Sequence, residues 1–583
     1  MAATTWGDWT FDRRADEIAD LAWRGVVVLR SIRAVVRDAD WATATPVISH
    51  VDHGPESLAL HLTWTDLGAD IAGVVTVRAD DGALTVSFDA ESHAAFRTNR
   101  AGLVVLHPHR LAGTPLQVAH ASGGHEATAF PRAVSAHQPV FDIAGLAWAV
   151  DGVEVDLVFR GDVFEMEDQR NWTDASYKTY SRPLDLPFPY DLAAGERVAQ
   201  SVTVRAGGTP TADGSRGADR IELHAGGAFP EIVVGAASAP EPAPSAADAG
   251  ALLLELDLSA PNRRAALARA AGTAAALDVR LIAPPAADAP WGTKIPGAVS
   301  GTELAAALGS AVRELAGLPV RRVGVFDPVS HISEPALVAA LRVAFADAGL
   351  SPVLVGGTRS HFTELNREQD RVPADVDAVA FGLTPLFHTL GDEQLFESVA
   401  VQRVLAAQAV EIAGDRPVHV GPVTLRARFN NVATRREPAP ARGDLSEGYG
   451  PQFTGFPDPR QASPELAAWT IASAAALAVP GVASIAYFEE WGARGIRSAD
   501  GDPHPVAAAV DALRSLAGGQ VLWGASPDTL VWAIGAGDAA ATTLLVANLD
   551  TRPRSLEVAA DGAAAVQVQV PARSWRRVTP PAR

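Results

Sequence analysis

Two adjacent carboxylates, Glu489 and Glu490, end the apolar run VASIAYFEE and are well placed for chemistry. A short continuous apolar run is typical of a strand that is buried on both faces. Because strand side chains alternate between faces, one carboxylate should point into the space that the sheet encloses and the other toward surrounding helices or loops. Barrel enzymes hold catalytic groups at the carboxyl ends of their strands, so we predict that Glu489 is catalytic. A salt-bridged pair that closes a loop is the alternative.

A second candidate acid, Glu364, follows the predicted strand SPVLVGG. If both strands belong to one closed barrel, their ends face a common cavity, and Glu364 and Glu489 lie across it. Carboxyl groups about 5–5.5 Å apart would suit a retaining glycosidase, and a wider gap would admit an attacking water. One carboxyl with a raised pKa could donate a proton while the other acts as base or nucleophile. A solvated loop acid is the alternative interpretation of Glu364.

Further polar and aromatic residues lie at or near the predicted strand ends, where they could bind a substrate. An arginine can clamp a carboxylate or hydroxyl groups, and an aromatic ring can stack on a sugar-like ring. Each residue taken alone also has a structural interpretation, and their value is that they converge on one predicted face. The predicted substrate-binding residues are Asp327, Asn366, His388, Arg426, Tyr487 and Trp491.

A metal site is the weaker alternative, since His107 and His109 share a predicted strand face and further histidines follow at 120, 125 and 137. Their spacing is not that of a metal motif, and we predict neither a metal nor a cofactor. The sequence also contains no G-x-S-x-G, no G-x-x-x-x-G-K-[ST] and no H-E-x-x-H. The usual serine-hydrolase, phosphate-loop and zincin interpretations are therefore excluded.

From residue 252 onward, short apolar runs alternate with alanine- and leucine-rich segments of helical spacing. Repeated strand–helix units predict a parallel sheet closed into a (β/α)8 barrel, a TIM barrel. Seven strands are clear, and the eighth is expected within 424–465. The seven are 252–258, 278–284, 321–328, 351–357, 377–383, 417–423 and 482–490.

The flanking regions have the short, turn-separated apolar runs of antiparallel β structure. We predict three domains: an N-terminal β-sandwich over 1–235, the barrel over 236–518 and a small C-terminal β-sandwich over 519–583. The fold class is thus α/β with flanking β domains. The Gly-, Ala- and Pro-rich segment that begins at Gly226 has the composition of a surface linker with one strand inside it.

Composition restricts the class of partner. The 583 residues carry a net charge of −20 and no cysteine, which argues against nucleic acid and anionic membranes and excludes disulfides. No apolar run is long enough to span a membrane, and the N-terminus lacks the pattern of a signal peptide. We expect a cytoplasmic enzyme that acts on a small sugar-derived substrate; the sequence leaves open whether it forms a homo-oligomer.

The densest polar stretch, DVFEMEDQRNWTDASYKTYSRPLDLPFPY at 162–190, mixes acids, bases and aromatic residues. It predicts either a buried ion-pair network that locks two domains together or a segment that reaches the pocket. The sequence does not decide between these two roles.

That stretch, together with FRTNRAGLVVLHP, VTLRARFN, PDPRQASPELAAWTIAS and SIAYFEEWGARG, resembles the D-apionate lactonase family over essentially the whole chain. The resemblance implies an N-terminal β domain, a TIM barrel and a C-terminal β domain, with hydrolysis of D-apionolactone to D-apionate as the activity. Where the family reads YFETTGWRG, this chain keeps Glu489, Arg494 and Gly495. Glu490 and Trp491 replace two threonines, and a tryptophan is replaced by alanine at 493.

Three functions follow from the sequence. The leading one is an aldonolactone hydrolase in which Glu364 and Glu489 act as general base and acid, with His388 or Arg426 stabilising the oxyanion. A retaining exo-glycosidase that uses the same pair on a furanose or related sugar is the alternative. A carbohydrate-binding protein without catalysis is the third.

Overall fold

The computed structural model describes residues 3–211, 220–244, 250–436, 442–450, 457–537, 543–560 and 565–579. Its residues form two compact units. The first comprises Met1–Arg170 and Ala175–Asp213, and the second comprises Asn171–Asp174 and Gly214–Arg583. Four residues of the polar stretch at 162–190 therefore group with the second unit.

The first unit is built from seventeen strands in one hydrogen-bonded network. Strands such as β6 alternate buried and half-buried residues, so apolar side chains collect on one face and form the core. This confirms the predicted N-terminal β domain; its sandwich arrangement stays a prediction. The strands are β1 (Thr4–Trp6), β2 (Trp9–Arg14), β3 (Glu17–Trp23), β4 (Val26–Asp38), β5 (Val47–Gly54), β6 (Ser57–Trp64), β7 (Ile71–Asp80), β8 (Ala83–Ser92), β9 (Phe96–Pro108), β10 (Pro115–His120), β11 (His125–Ala129), β12 (Val140–Val150), β13 (Val153–Arg160), β14 (Phe164–Asp168), β15 (Ser176–Tyr180), β16 (Tyr190–Leu192) and β17 (Arg197–Gly208).

The second unit contains a closed barrel of eight parallel strands, which confirms the predicted TIM barrel. All seven strands expected from the sequence are present. The barrel strands are β19 (Glu231–Gly235), β20 (Ala251–Asp257), β21 (Ala276–Ile282), β22 (Val320–Phe326), β23 (Val353–His361), β24 (Ala378–Leu383), β25 (Val418–Val423) and β26 (Val482–Glu489). The helices are α1 (Arg263–Thr273), α2 (Gly301–Leu315), α3 (Pro335–Ala348), α4 (Phe362–Arg367), α5 (Asp392–Ala413), α6 (Pro464–Leu477) and α7 (Pro505–Arg514).

The eighth barrel strand is β19, and the expectation that it lies within 424–465 is wrong. β19 pairs with both β20 and β26 and so closes the barrel. Its five residues, EIVVG, lie in a segment rich in Gly, Ala and Pro that has the composition of a linker. The sequence predicts a strand within this segment, but a strand this short gives no signal that assigns it to the barrel.

The C-terminal strands form a seven-stranded sheet with one strand from before the barrel, in the order β31-β30-β18-β27-β28-β29-β32. Its strands are β18 (Arg220–Ala228), β27 (Gln520–Ala525), β28 (Val531–Ala536), β29 (Thr543–Asn548), β30 (Arg554–Ala560), β31 (Val566–Val570) and β32 (Ser574–Val578). Both β18 and β19 precede the predicted domain boundary at 236, yet both pair with strands that follow it. The predicted C-terminal sandwich stays a prediction.

Helix α6 fixes the position of β26, the strand that carries Glu489. From Leu466 to Leu477 every residue of α6 is buried, because the helix packs against α5, α7 and β26 and also against β28, β29 and β32. Trp469 Nε1 donates to the Leu395 carbonyl (2.7 Å), and Tyr487 Oη donates to Ser473 Oγ (2.8 Å). In the part of the chain that the structure describes, no helix is long and apolar enough to cross a membrane.

The histidines considered for a metal site have other surroundings. His107 is fully buried, with its ring against Phe130 and Trp148 and its Nε2 2.8 Å from Thr179 Oγ1. His109 begins a short 3₁₀ turn rather than continuing the strand. Among the described residues, no three His, Cys, Asp or Glu side chains are grouped as metal ligands would be.

Burial lowers the pKa of His107 from 6.5 to about 3, so the folded protein keeps this ring neutral while an unfolded chain would protonate it. Stability should therefore fall as the pH drops below 6.5. We expect His107→Asn to reduce the loss of unfolding free energy between pH 7 and pH 5 by about 2 kcal/mol, measured by urea denaturation. The exposed His125→Asn is the matched control and should leave the pH dependence unchanged. Equal pH dependence of the His107→Asn protein and the wild type would contradict this expectation.

Candidate active site

A local irregularity of β26 turns Glu489 into the barrel. Ala486 packs with Val233 and Leu253 on the inner face, and Tyr487 points out to α6. Phe488 then adopts φ 51°, and the pairing with β19 shifts by one residue before Glu489. Because strand residues alternate, this extra residue is what places Glu489 rather than Phe488 on the inner face.

The two adjacent carboxylates lie on opposite faces, as strand alternation predicts. Glu489 accepts hydrogen bonds from the Ser238 backbone N–H (2.9 Å) and hydroxyl (2.8 Å), and Arg494 NH1 lies 3.8 Å from its Oε1. Glu490 instead accepts from Thr273 Oγ1 (3.2 Å) of α1, on the outside of the barrel, and burial raises its pKa. Glu489 is thus the carboxylate available at the barrel mouth.

Glu255 of β20 is a further inward carboxylate, and the sequence analysis did not select it. Arg359 Nε of β23 donates to its Oε1 (3.2 Å), and Arg428, which follows β25, donates to its Oε2. These partners come from strands on other sides of the barrel, so the cluster spans the mouth. Burial alone would raise the pKa of Glu255, but the two guanidinium groups outweigh it and lower the pKa. The sequence signal for Glu255 was a charged residue inside the largely apolar run LLLELDL.

His331 and Phe429 contact the arginines of this cluster. Arg359 NH1 donates to His331 Nδ1 (3.2 Å), and its guanidinium carbon lies 4.0 Å from the centroid of the Phe429 ring. Burial, followed by the charge of Arg359, lowers the pKa of His331, which keeps that nitrogen an acceptor. His331 also has φ 64°, a conformation that non-glycine residues rarely adopt.

Glu364 lies at the start of α4 and is 1% exposed. Its Oε1 accepts from Asn431 Nδ2 (2.7 Å) and Lys294 Nζ (3.2 Å), and its Oε2 accepts from the His361 backbone N–H (3.1 Å). Burial would raise its pKa, but the charges of Lys294 and His361 and the Asn431 hydrogen bond outweigh it and lower the pKa. Glu364 is therefore an ionised carboxylate with both oxygens engaged.

Glu364 and Glu489 have different partners. Charge effects link Arg428 of the Glu255 cluster to the residues beside both of them. The charge of Arg428 contributes to the lowered pKa of His361, beside Glu364. The charge of Arg494, beside Glu489, contributes in turn to the lowered pKa of Arg428, after burial. The structure thus brings the two predicted acids to one end of the barrel without a direct hydrogen bond between them.

Asp327 is one of two predicted substrate-binding residues, with Tyr487, that are 0% exposed. Its carboxylate accepts from the backbone N–H groups of Gly297 (2.9 Å), Ala298 (2.9 Å), Val329 (2.8 Å) and Ser330 (2.9 Å). These contacts tie two loops at the barrel mouth together. Its observed contacts are those of a loop anchor.

The other predicted binding residues are divided between the mouth and its surroundings. Asn366 is 3% exposed. Arg426 Nε donates to Asp458 Oδ2 (2.9 Å), whose carboxylate Arg460 also binds. Tyr487 faces α6, and Trp491 lies outside the strand under the guanidinium of Arg269, 5.3 Å from its ring centroid. His388 lies at the mouth, with its Nδ1 2.7 Å from Asp174 Oδ2.

Sequence comparison identifies the family of this chain. Residues 1–209 match the D-apionate lactonase N-terminal domain, and residues 231–518 match the D-apionate lactonase TIM barrel domain. The chain belongs to the D-apionate lactonase family. The D-apionate lactonase of Brucella anthropi is 29% identical over 546 residues, which cover 87% of this chain and 86% of that protein. The resemblance seen in the sequence motifs is confirmed.

Solved structures resemble parts of this lactonase-family chain. A GH30 endoxylanase from Clostridium papyrosolvens C71 aligns over 62% of this chain and 99% of its own, with 13% identity and a TM-score of 0.39. A putative aldose 1-epimerase from Escherichia coli K12 aligns over 36% of this chain and 98% of its own, with 10% identity and a TM-score of 0.27. Similarities this distant support no conclusion about chemistry.

The Glu255 cluster predicts strong coupling between its members. Arg359→Met keeps the packing against Phe429 but removes one of the two cations on a buried carboxylate, so we expect a loss of about 3–5 kcal/mol in unfolding free energy. Each single variant loses the Glu255–Arg359 interaction, so Glu255→Gln/Arg359→Met loses it only once and should be more stable than the sum of the single variants implies. Urea denaturation of the four proteins measures the coupling. Additive losses would show that the cluster is not energetically coupled.

Proposed function

We propose that this chain is a hydrolase that opens a sugar-derived aldonolactone, similar to D-apionolactone, to its hydroxy acid. Family membership and the name of its Brucella anthropi relative support a lactonase. The observation that carries the mechanism is the inward carboxylate of Glu489, held by Ser238 beside the guanidinium of Arg494. At the mouth of the barrel, this arrangement places a general base beside a cation that can stabilise an oxyanion.

In the proposed reaction, Glu489 removes a proton from water as the water oxygen attacks the lactone carbonyl carbon. The carbonyl oxygen becomes an oxyanion. Arg494 stabilises it, because its guanidinium lies next to Glu489, the base that activates the attacking water. The tetrahedral intermediate then collapses, the ring C–O bond breaks, and the ring oxygen leaves as an alkoxide that requires a proton. The hydroxyl groups of the sugar bind to Arg359 and Arg428, whose orientation Glu255 fixes.

The charge states of the other two carboxylates favour a lactonase over the glycosidase alternative. A glycosidase needs a carboxylic acid with a raised pKa to protonate the glycosidic oxygen. Nearby cations lower the pKa of both Glu255 and Glu364. Both are therefore ionised at neutral pH and cannot act as that acid, whereas in the proposed ester hydrolysis the proton for the leaving alkoxide need not come from a carboxylic acid.

We therefore assign Glu364 a positioning role instead of the catalytic role, as base or acid, expected from the sequence. It holds the ammonium of Lys294, whose side chain is 33% exposed, and the amide of Asn431. Through these contacts it fixes the loop around Lys294 at the mouth. The expected catalytic pair of Glu364 and Glu489 is thus reduced, in this proposal, to one general base.

Glu489→Gln tests the base directly, since the amide keeps the shape of the side chain but cannot accept the proton. We expect kcat for D-apionolactone to fall by about 100-fold or more. The matched control is Glu490→Gln, the neighbouring carboxylate that points to α1, and its kcat should change less than about 3-fold. Acid release in a pH-stat, corrected for spontaneous hydrolysis, measures both. Full activity of the Glu489→Gln protein would refute the assignment.

A substrate panel separates the lactonase from the glycosidase. The wild-type protein should release acid from aldonolactones and no phenol from aryl furanosides or aryl pyranosides. Phenol release that Glu489→Gln abolishes would establish the glycosidase instead.

A further inference from the structure

The tetrapeptide Asn171–Asp174 belongs to the barrel unit, although the barrel strands begin about sixty residues later in the sequence. Asn366 Nδ2 donates to Asn171 Oδ1 (2.9 Å), and Gln394 Nε2 donates to the Thr173 carbonyl (3.3 Å). Thr173 has φ 73°, which non-glycine residues seldom adopt. The segment is therefore held by hydrogen bonds in one defined conformation.

Trp172 builds an aromatic wall at the end of β24. Its ring stacks on Phe387, with centroids 4.5 Å apart and an interplanar angle of 20°. It also contacts His388 edge-on (5.7 Å) and His361 (5.8 Å). These rings surround the imidazole of His388 with apolar surface, where electrostatic interactions are stronger than in water.

Asp174 contacts His388 within this wall. The side chain of Asp174 is 2% exposed and that of His388 is 13% exposed, and 2.7 Å separates Asp174 Oδ2 from His388 Nδ1. Because a carboxylate can only accept, Nδ1 carries the hydrogen, and the ring presents Nε2 on its opposite edge. A buried carboxylate also favours the protonated, proton-donating form of the imidazole.

The charged groups around this pair come from several elements. His361 of β23 faces His388, and the charge of His388 is among the causes that lower the pKa of His361 to about 4, after burial. Arg367 of α4 lies over Trp172, 5.8 Å from its ring centroid. The neighbouring histidine is therefore neutral near pH 7, and Asp174 is the carboxylate in contact with His388.

We propose that Asp174 positions His388 to donate the proton that the leaving alkoxide of the lactone requires. The inference rests on the proposed function, in which Glu489 has taken a proton from water. As the ring C–O bond breaks, the Nε2–H bond of His388 breaks and an O–H bond forms on the former ring oxygen. Solvent then carries the proton of Glu489 back to His388, so that lactone and water give the hydroxy acid with no other reactant.

The supporting observation is that the chain places a buried carboxylate on an imidazole at the mouth. Glu255 and Glu364 are kept ionised by cations and cannot donate. His331 accepts from Arg359 at Nδ1 and has a lowered pKa. Among these four groups, His388 alone has a partner that favours the proton-donating form.

The test compares two lactones whose leaving groups differ in their need for a proton. An alkoxide from D-apionolactone needs a proton to depart, whereas the phenolate from dihydrocoumarin, a phenolic lactone, leaves without one. We expect Asp174→Asn and His388→Gln to lower kcat for D-apionolactone by about 100-fold, with KM changed less than about 3-fold. On dihydrocoumarin the same variants should lose less than about 5-fold, while Glu489→Gln loses activity on both lactones.

Asn171→Ala is the matched structural control, because it loosens the same tetrapeptide without touching the Asp174–His388 contact. It should lower the thermal unfolding temperature slightly and affect both lactones equally. Equal losses on both lactones for Asp174→Asn, or a loss confined to KM, would overturn the inference. If the wild type does not accept dihydrocoumarin, the split between kcat and KM on D-apionolactone decides. A wild type that opens neither lactone refutes the proposed function itself.

Discussion

The barrel mouth depends on a buried charge that must be paired. Glu255 projects from the largely apolar strand β20 into the barrel interior, where an isolated carboxylate would be costly. Arg359 and Arg428 satisfy it from strands on other sides of the barrel. Their contacts with His331 and Phe429 extend the same constraint outward. One electrostatic requirement therefore fixes where β20, β23 and the segment after β25 present their side chains, and the same two guanidinium groups lower the pKa of Glu255.

Much of the fold was predictable because its elements are long and periodic. Seven barrel strands and their alanine-rich helices have unambiguous patterns, and the resemblance of the 162–190 stretch identified the family. A strand was expected in the linker-like segment that contains Glu231–Gly235, but its five residues carry too little periodicity to show that it closes the barrel. Likewise, the pairing of β18 with β27 and β30 joins segments separated by the whole barrel, and composition gives no sign of such a contact.

The site was less predictable, since its partners are distant in sequence. Alternation correctly separated Glu489 from Glu490, but their surroundings, Ser238 and Thr273, come from elsewhere in the chain. Position after a strand also does not distinguish a binding residue from a loop anchor, and Asp327 has the contacts of the latter. Asp174 lies in the polar stretch at 162–190, which the sequence analysis had singled out. Its contact with His388 could not be predicted, because the two residues are 214 positions apart.

Backbone strain marks the same region. Phe488 (φ 51°) and His331 (φ 64°) are non-glycine residues in a left-handed conformation, which costs on the order of 1–3 kcal/mol each and persists only where the surroundings enforce it. At Phe488 the enforcement is the packing of Tyr487 and Phe488 against α6, whose residues are buried from Leu466 to Leu477. A regular strand would put Phe488 into the barrel and turn Glu489 outward. The C-terminal sheet that packs on α6 therefore contributes to the orientation of the proposed base, although it supplies no residue to the mouth described above.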